Sequence, residues 1–559
     1  MIEGRGRVGP ARVCRIGGLL AGLAGLALAV SAQAGEPPVV EAEAGAVRGI
    51  WDEEIAVFRG IPYAEAPVGE LRWKPPMAKA HWEGVRDATE FGPPCFQPEA
   101  RPTANNIYAE ELGAMSEDCL TLNVWAPDDA TNAPVFVWIH GGALVAGSSS
   151  FGMYDGARLA EEGVVVVSLN YRLGVLGFLA HPQLSAESER GISGNYGFLD
   201  QIEALRWIER NIAAFGGDPD NVTIAGESAG GLSVMYLMTS PPAHGLFDKA
   251  IMQSAYMIST PALKEAQHGH PSAESLGVWL EEQLETDGIA DLRALGPREL
   301  VAKATAAGYP TWATVDGKVI PYQIVESFDR GEQAPVPVLA GFNSGEIRSL
   351  RRLLPPAPAD AEGYEAKIRA AYGELADRYL AIYPSDTIDE SMLAATRDAL
   401  YGWTAERIGR KQTAIGAPAY LYLFDHGYPA AAEAGLRAFH ASEIPFMFGT
   451  IWDTTDNWPH IPRTDEQRAL SDAMVEYWAS FARSGVPRAE GQPAWPAFGK
   501  NEAYMVFDGK PFVVKDVLGR RYELYEETVC RRRAAGDQQW NWNVGVISPP
   551  LPAKAPQCR

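Results

Sequence analysis

Short apolar runs alternate with amphipathic segments through the middle of the chain. Residues 135–139 (VFVWI) and 164–169 (VVVVSL) are almost wholly apolar, which is typical of strands buried on both faces of a parallel sheet. Residues 200–215 have apolar side chains at helical spacing and stop at a pair of glycines, so they predict a helix. Residues 222–225 predict the next strand, and residues 230–239 predict the next helix.

The second half of the chain carries the same two patterns more weakly. Residues 250–252, 338–342 and 419–424 predict strands, and residues 466–483 predict an amphipathic helix. Residues 355–362 are rich in proline and alanine and predict a loop. Strands that alternate with helices in this way predict an α/β fold, with a mostly parallel central sheet, helices on both faces and large insertions.

The N-terminal pattern is typical of a targeting signal. Four arginines precede an apolar run at residues 16–30, and small residues follow it as far as Ala34. A membrane anchor is the alternative, but an anchor needs about 20 apolar residues and this run is shorter. We therefore predict a signal peptide at residues 1–34, no stable membrane anchor, and an exported protein that is periplasmic or secreted.

The most informative feature of the composition is its excess of acidic residues. The chain has 71 Asp and Glu against 48 Lys and Arg, so its formal net charge is −23. Nucleic-acid binding needs a basic face that can neutralise phosphates. The charge therefore argues against a nucleic-acid partner, and it also disfavours adhesion to anionic membranes.

Export gives the cysteines a structural interpretation. Cys14 leaves with the signal peptide, and Cys95, Cys119, Cys530 and Cys558 remain. An even number of cysteines in an oxidising compartment predicts disulfides, and sequence proximity favours Cys95–Cys119 and Cys530–Cys558. A zinc site is the alternative, but the chain has neither a CxxC motif nor a nearby histidine pair to support one, so we predict no metal.

The first candidate catalytic segment is residues 221–231, whose sequence is NVTIAGESAGG. Ser228 stands between Gly226 and Gly230, where a predicted strand passes into a predicted helix. In that context the pattern G-x-S-x-G predicts a nucleophile on a strained turn, beside backbone N–H groups that favour an anion. A simple packing turn is the alternative, and the pattern alone leaves it open.

A serine nucleophile needs a histidine base and a carboxylate that orients the base. In the chain order serine, acid, histidine, only His426, His440 and His460 lie late enough. His460 has no feature to recommend it, and position alone leaves His426 and His440 open. Glu346 is the candidate acid because it closely follows the strand at residues 338–342, and catalytic groups gather at the carboxyl ends of strands. A solvated loop carboxylate is the alternative.

A glycine-rich turn at residues 140–143 directly follows the strand at residues 135–139. Its backbone N–H groups, together with the N–H of Ala229, can bind the oxyanion of a tetrahedral intermediate. A tight turn without function is the alternative, but the position of the turn upstream of Ser228 favours an oxyanion hole.

Together these features resemble the type-B carboxylesterase/lipase family, whose other members include the cholinesterases. The resemblance covers most of the chain after the signal and implies an α/β-hydrolase fold. Five further segments carry it: residues 58–73 (FRGIPYAEAPVGELRW), 117–124 (EDCLTLNV), 170–174 (NYRLG), 194–201 (GNYGFLDQ) and 247–254 (FDKAIMQS).

The resemblance also implies the roles of particular residues. It implies a catalytic triad of Ser228 as nucleophile, Glu346 as acid and His440 as base. It implies a pairing of Cys119 with Cys95. It implies three backbone donors in the oxyanion hole, those of Gly142, Ala143 and Ala229.

The chain departs from the family pattern at three positions. Ala143 stands where the family usually has a third glycine, Ile347 follows the acid where glycine is common, and Ala441 follows the histidine where glycine is frequent. None of these changes removes a catalytic group. The added methyl of Ala143 keeps the backbone N–H and narrows the acyl pocket.

We therefore predict a serine hydrolase that cleaves small-molecule carboxylic esters through an acyl-enzyme, without a cofactor. Residues 35–559 are predicted to form a single catalytic domain with an irregular tail from about residue 530. A lipase acting on long-chain acyl esters is one alternative, but the polar loop between Cys95 and Cys119 makes a poor lid. A catalytically silent binding module is the other, but such relatives typically lose a triad residue and this chain retains all three.

Three arginines, Arg348, Arg351 and Arg352, crowd just after the candidate acid. The simpler interpretation is a solvated loop that offsets an acidic surface. The sharper hypothesis is that Arg348 pairs with a carboxylate on the substrate, so that the enzyme acts on esters bearing a carboxylate. The sequence alone does not determine the oligomeric state.

Overall fold

The computed structural model describes residues 36–99, 106–540 and 545–558. The predicted signal peptide, residues 1–34, lies outside the described residues. From Pro37 onward the described residues form one compact unit.

Fourteen strands are found in the described part of the chain, and eleven of them form the large sheet. Their bounds are β1 Val39–Ala42, β2 Gly45–Arg48, β3 Ile50–Asp52, β4 Ile55–Pro62, β5 Val85–Asp87, β6 Thr121–Pro127, β7 Ala133–Ile139, β8 Val165–Leu169, β9 Gly217–Glu227, β10 Lys249–Gln253, β11 Val338–Asn343, β12 Ala419–Phe424, β13 Ala503–Asp508 and β14 Lys510–Lys515.

The strand order of the large sheet is β14-β13-β12-β11-β10-β9-β7-β8-β6-β4-β3. All neighbours from β13 to β8 run parallel. Only the edges are antiparallel, with β14 on one side and β6, β4 and β3 on the other. The predicted mostly parallel sheet is confirmed. A small separate sheet joins β1, β2 and β5.

Both faces of the large sheet are covered, as strand β7 illustrates. Its residues Val135, Val137 and Ile139 pack into one hydrophobic cluster, which includes residues of the helix that follows Ser228. Phe136 and Trp138 alternate with them and pack into a second cluster on the other face. Successive side chains of a strand point to opposite faces, so a run that is apolar at every position requires helices on both sides.

Helices are distributed along the whole described chain, and some of them supply this cover. Their bounds are α1 Ala157–Ala160, α2 Gly174–Phe178, α3 Pro182–Glu187, α4 Tyr196–Asn211, α5 Ala229–Thr239, α6 Ala273–Gln283, α7 Ile289–Ala294, α8 Pro297–Ala307, α9 Ile324–Arg330, α10 Ala361–Tyr372, α11 Ala376–Ile382, α12 Ile388–Arg397, α13 Trp403–Ala414, α14 Pro429–Glu433, α15 Ile444–Phe448, α16 Asp465–Ser484 and α17 Arg520–Ala535.

The C-terminal region differs from the prediction of an irregular tail from about residue 530. Helix α17 continues through Ala535 and ends at Gly536, whose φ of +76° suits a helix stop. The apolar pattern does not predict this helix, because the segment is strongly charged and its apolar residues form only a weak stripe at helical spacing. Irregular structure therefore begins at Gly536. Within the described ranges, no helix is long and apolar enough to cross a membrane.

Two disulfides are present in the structure, with the predicted partners. Cys95 and Cys119 are joined with their Cα atoms 5.1 Å apart, and Cys530 and Cys558 with theirs 5.6 Å apart. The second bond ties the irregular C-terminal segment to helix α17. The first closes the loop that ends just before strand β6.

Candidate active site

Ser228 occupies a sharp turn between strand β9 and helix α5. Its backbone has φ +55° and ψ −119°, a conformation that a non-glycine residue adopts only under strain. The flanking glycines permit this turn, because a Cβ at Gly230 would lie 2.0 Å from the carbonyl oxygen of Ile139. A Cβ at Gly226 would lie 2.8 Å from the same oxygen. The G-x-S-x-G pattern therefore reflects close backbone packing around an outward-turned serine.

Three backbone N–H groups around this turn donate no hydrogen bond to any described residue: those of Gly142, Ala143 and Ala229. Ala229 is the first residue of α5, where N–H groups have no partner inside the helix. Gly142 and Ala143 follow strand β7 with φ of +104° and +56°. A Cβ at Gly142 would lie 2.0 Å from the carbonyl oxygen of Ala146, so glycine is required there. These groups are available to bind an anion.

His440 and Glu346 are in direct contact, Nδ1 of the histidine against Oε2 of the glutamate. The other oxygen, Glu346 Oε1, accepts hydrogen bonds from the Ser254 hydroxyl at 2.6 Å and from the backbone N–H of Asn343 at 2.8 Å. Both side chains are buried, so the carboxylate is fixed before any substrate binds. This arrangement fixes the ring orientation of His440 and leaves Nε2 for chemistry.

Nε2 of His440 lies close to the residue that precedes the serine turn. It lies 3.1 Å from Oε1 of Glu227, the residue immediately before Ser228. The two atoms are close but not aligned for a hydrogen bond, since Glu227 Oε1 has no hydrogen-bond partner among the described residues. Burial lowers the pKa of His440, but the carboxylates of Glu227 and Glu346 outweigh that effect and raise it. Burial raises the pKa of Glu227.

A third buried carboxylate, Glu443, lies behind this pair. Its oxygens accept hydrogen bonds from Gln253 at 3.0 Å and from the Asn343 side chain at 2.6 Å. The sequence analysis did not assign a role to Glu227, Glu443 or Ser254. A signal existed for each, because Glu227 lies inside the serine motif, Glu443 follows His440 by three residues, and Ser254 ends a segment that carried the family resemblance.

Aromatic rings border the histidine. The Tyr108 hydroxyl donates to the backbone carbonyl oxygen of His440 at 2.9 Å and lies 2.7 Å from the Ser349 hydroxyl. The Tyr401 ring lies 5.3 Å from the imidazole between centroids. Tyr108 comes from the loop closed by the Cys95–Cys119 disulfide. The disulfide loop therefore reaches the candidate site, although residues 100–105 of it lie outside the described residues.

The two competing histidines have other surroundings. His426 uses both ring nitrogens inside the fold, one at 2.8 Å from Gln467 Oε1 and the other accepting from the Gly509 N–H at 3.1 Å. His460 is exposed. Of the three late histidines, His440 is the one in contact with the candidate acid.

Arg348 is engaged within the protein. Its guanidinium pairs with Glu390 and donates to the carbonyl oxygen of Gly435 at 3.3 Å, and its side chain is only 11% exposed. Arg351 forms a two-pronged pair with Asp389 at 3.0 and 2.8 Å. Both arginines therefore tie the segment after the acid to helix α12. These contacts give no support to a free guanidinium at the pocket mouth.

A family model described as the carboxylesterase family matches residues 36–524. The chain belongs to the carboxylesterase family. A relative, the para-nitrobenzyl esterase of Bacillus subtilis (strain 168), is 36% identical over 467 residues, covering 82% of this chain and 92% of the relative. The fumonisin B1 esterase of Sphingopyxis macrogoltabida is 34% identical over 499 residues, covering 87% of this chain and 89% of the relative.

Solved structures agree with this assignment. A structure of PNB esterase superposes on this carboxylesterase with a TM-score of 0.75 at 32% identity, covering 87% of this chain and 99% of that one. The predicted α/β-hydrolase fold is confirmed, and the enzyme is a carboxylic ester hydrolase acting on small-molecule esters.

Proposed function

We propose that this carboxylesterase hydrolyses its esters through a covalent acyl-enzyme on Ser228. The Ser228 Oγ attacks the ester carbonyl carbon while His440 Nε2 accepts the hydroxyl proton. The resulting oxyanion accepts hydrogen bonds from the N–H groups of Gly142, Ala143 and Ala229. His440 then gives its proton to the departing alcohol oxygen. Water repeats the same steps on the acyl-enzyme, which releases the acid and regenerates Ser228.

The observation that carries this proposal is the buried contact between Glu346 and His440, with Nε2 of His440 3.1 Å from Oε1 of Glu227, the residue before Ser228. The carboxylate stabilises the imidazolium that forms when Nε2 takes the serine proton. The three unpartnered N–H groups supply the electrostatic part of catalysis, and loss of one such donor typically costs roughly 3–4 kcal/mol in the transition state.

A rapid-mixing assay with p-nitrophenyl acetate tests the proposal. A phenyl ester acylates quickly, so the enzyme should release a burst of p-nitrophenol equal to its own concentration before the steady rate. Ser228→Ala removes the nucleophile and should abolish both the burst and the turnover, with the melting temperature as the check on folding. A folded Ser228→Ala variant that turns over at the wild-type rate would contradict the proposal.

The chemistry of the pocket favours neutral esters. The carboxylate of Glu346 is buried beside His440, and like charges repel a substrate carboxylate. The hypothesis that Arg348 pairs with a carboxylate on the substrate is still to be tested, and the contacts of Arg348 within the protein favour the alternative, that it does not. Such a substrate would have to displace the contact between Arg348 and Glu390.

We further propose that the enzyme is exported, to the periplasm or beyond, after cleavage behind Ala34. Two disulfides support this, because such bonds persist in oxidising compartments and are rare in the cytosol. The test is N-terminal sequencing of the protein from each cell fraction. A mature chain that begins at Gly35 outside the cytoplasm is expected, and an uncleaved chain confined to the cytoplasm would contradict the proposal.

A further inference from the structure

Two tyrosine rings lie next to one another beside His440. The Tyr401 ring is tilted by 41° against the imidazole at 5.3 Å between centroids. The Tyr256 ring meets the Tyr401 ring edge-on at 6.0 Å. Tyr256 follows strand β10 by three residues, and the last residue of that strand, Gln253, accepts the backbone N–H of Ser228 at 2.9 Å. Both rings therefore flank the proposed reacting groups.

The hydroxyls of these two tyrosines form no hydrogen bond with any other described residue, although the Tyr401 side chain is buried and that of Tyr256 is partly buried. Several other buried tyrosines of this protein do have partners: the hydroxyls of Tyr63, Tyr171 and Tyr525 donate to backbone carbonyl oxygens at 2.7 to 2.9 Å. A buried tyrosine hydroxyl normally finds a partner. The Tyr256 and Tyr401 hydroxyls are therefore open to a partner that enters the site.

The charges around the two hydroxyls define what that partner is. Burial raises the pKa of Tyr256 and Tyr401, and the carboxylate of Glu227 raises both further. Each phenol therefore stays protonated and acts as a hydrogen-bond donor. The buried carboxylate of Glu346, which contacts His440, repels an anion. The partner that fits is a neutral oxygen acceptor.

The local backbone structure fixes the position of Tyr401. It lies in a π-helical turn, Asp398–Gly402, between helices α12 and α13. Such turns are uncommon and frequently occur at functional sites. Asp398 fixes the turn by accepting from the Tyr383 hydroxyl at 2.9 Å and from Arg397 at 2.7 Å. Arg397 also donates to the carbonyl oxygen of Ser344 at 3.0 Å, next to the acid loop.

We propose that Tyr256 and Tyr401 determine substrate specificity by donating hydrogen bonds to a neutral ether, carbonyl or hydroxyl oxygen in the acyl or alcohol part of the ester. The enzyme then prefers oxygenated esters over hydrocarbon esters of the same shape. This inference rests on the proposed roles of Ser228 and His440, which bring the substrate beside the two rings.

Two matched pairs of esters test the proposal. On the acyl side, p-nitrophenyl methoxyacetate is compared with p-nitrophenyl butyrate, which has a methylene in place of the ether oxygen. On the alcohol side, methoxyethyl acetate is compared with butyl acetate. The ratio of kcat/KM for the ether to that for the hydrocarbon is measured in wild type, Tyr256→Phe and Tyr401→Phe. Intrinsic differences in ester reactivity cancel when the ratio is compared between proteins.

In at least one pair, each phenylalanine variant should lower this ratio by about fivefold to tenfold, the effect of one neutral hydrogen bond. The hydrocarbon ester should be affected by less than about twofold, since the ring is retained. Tyr309→Phe is the matched control, because Tyr309 packs against a separate hydrophobic cluster and its hydroxyl lies 3.4 Å from the Phe178 carbonyl oxygen. Its ratio should equal that of wild type.

Unchanged ratios in both pairs for both variants would overturn the proposal. That result is distinguishable from failure of the proposed acyl-enzyme mechanism. In the first case the p-nitrophenol burst persists and still depends on Ser228, whereas in the second case the burst is absent and Ser228→Ala retains turnover.

Discussion

The proposed catalytic machinery has two halves, the Ser228 turn and the His440 network, and different kinds of contact hold them in place. The turn that carries Ser228 is fixed by backbone contacts so close that a single Cβ does not fit at Gly230. His440 is fixed by a network of buried side chains in which Glu346, Ser254 and Asn343 share hydrogen bonds. The turn therefore tolerates almost no change in shape, whereas the network depends on hydrogen bonds to a buried carboxylate and on its charge.

The largest effect is expected from a change of charge in the network. Glu346→Gln keeps the size of the side chain but no longer stabilises the imidazolium, and kcat should fall by about 10⁴-fold, as for other triad carboxylates. Steady-state hydrolysis of a p-nitrophenyl ester measures this. Glu390→Gln changes a half-exposed carboxylate on the nearby helix α12 and is the control, with kcat expected within about twofold. A kcat for Glu346→Gln within tenfold of wild type would contradict the network account.

The turn should respond to a single methyl group instead. Gly230→Ala brings a Cβ to 2.0 Å from the Ile139 carbonyl oxygen, so the backbone must shift. The free energy of unfolding should fall by about 3 kcal/mol, an overpacking cost, and activity should fall with it. Gly296→Ala is the matched control, since no atom lies within 4 Å of its added Cβ. Equal chemical-denaturation midpoints for the two variants would refute the packing argument.

Features that depend on local sequence could be predicted, whereas those that depend on contacts between side chains could not. Strand Ala419–Phe424 was predicted with its observed bounds, and the serine turn followed from the spacing of its glycines, because local pattern fixes both. The contact between Gln253 and Glu443 joins residues 190 positions apart, and no local pattern encodes it. The π-helical turn of Tyr401 was not predicted either, because its geometry depends on side-chain contacts of Asp398 with Tyr383 and Arg397 that the apolar pattern does not show.

The activity should depend on pH through the charges of this network. Glu227 and Glu346 raise the pKa of His440, so the histidine stays protonated to higher pH than usual. A protonated His440 cannot accept the Ser228 proton, and kcat/KM should therefore rise with pH and be lost as pH falls through that pKa. Glu227→Gln removes one of the two charges and should move the rise to lower pH by about one unit.

The measurement for this prediction is a profile of kcat/KM against pH for a neutral ester. Glu476→Gln, a change at a half-buried position of helix α16, is the control that should leave the profile in place. A rise that stays at the wild-type pH in Glu227→Gln, or moves to higher pH, would mean that Glu227 does not act on His440 electrostatically.

The smallest effect is expected at Arg348, outside both halves. Its pair with Glu390 joins one nearly buried and one half-exposed side chain, so Arg348→Ala should cost about 1 kcal/mol of stability. The preference between a neutral ester and its carboxylate-bearing analogue should stay the same, because the guanidinium is occupied inside the protein. A preference that shifts tenfold toward the neutral ester would revive a role for Arg348 in substrate binding.

The most direct test of the account is to trap the covalent intermediate. The enzyme is quenched with acid during turnover of p-nitrophenyl acetate, digested, and mapped by mass spectrometry. The account predicts one acetyl group per enzyme, on the Ser228 hydroxyl, and none in Ser228→Ala. Acetyl on a different residue that forms and decays at the turnover rate would contradict it.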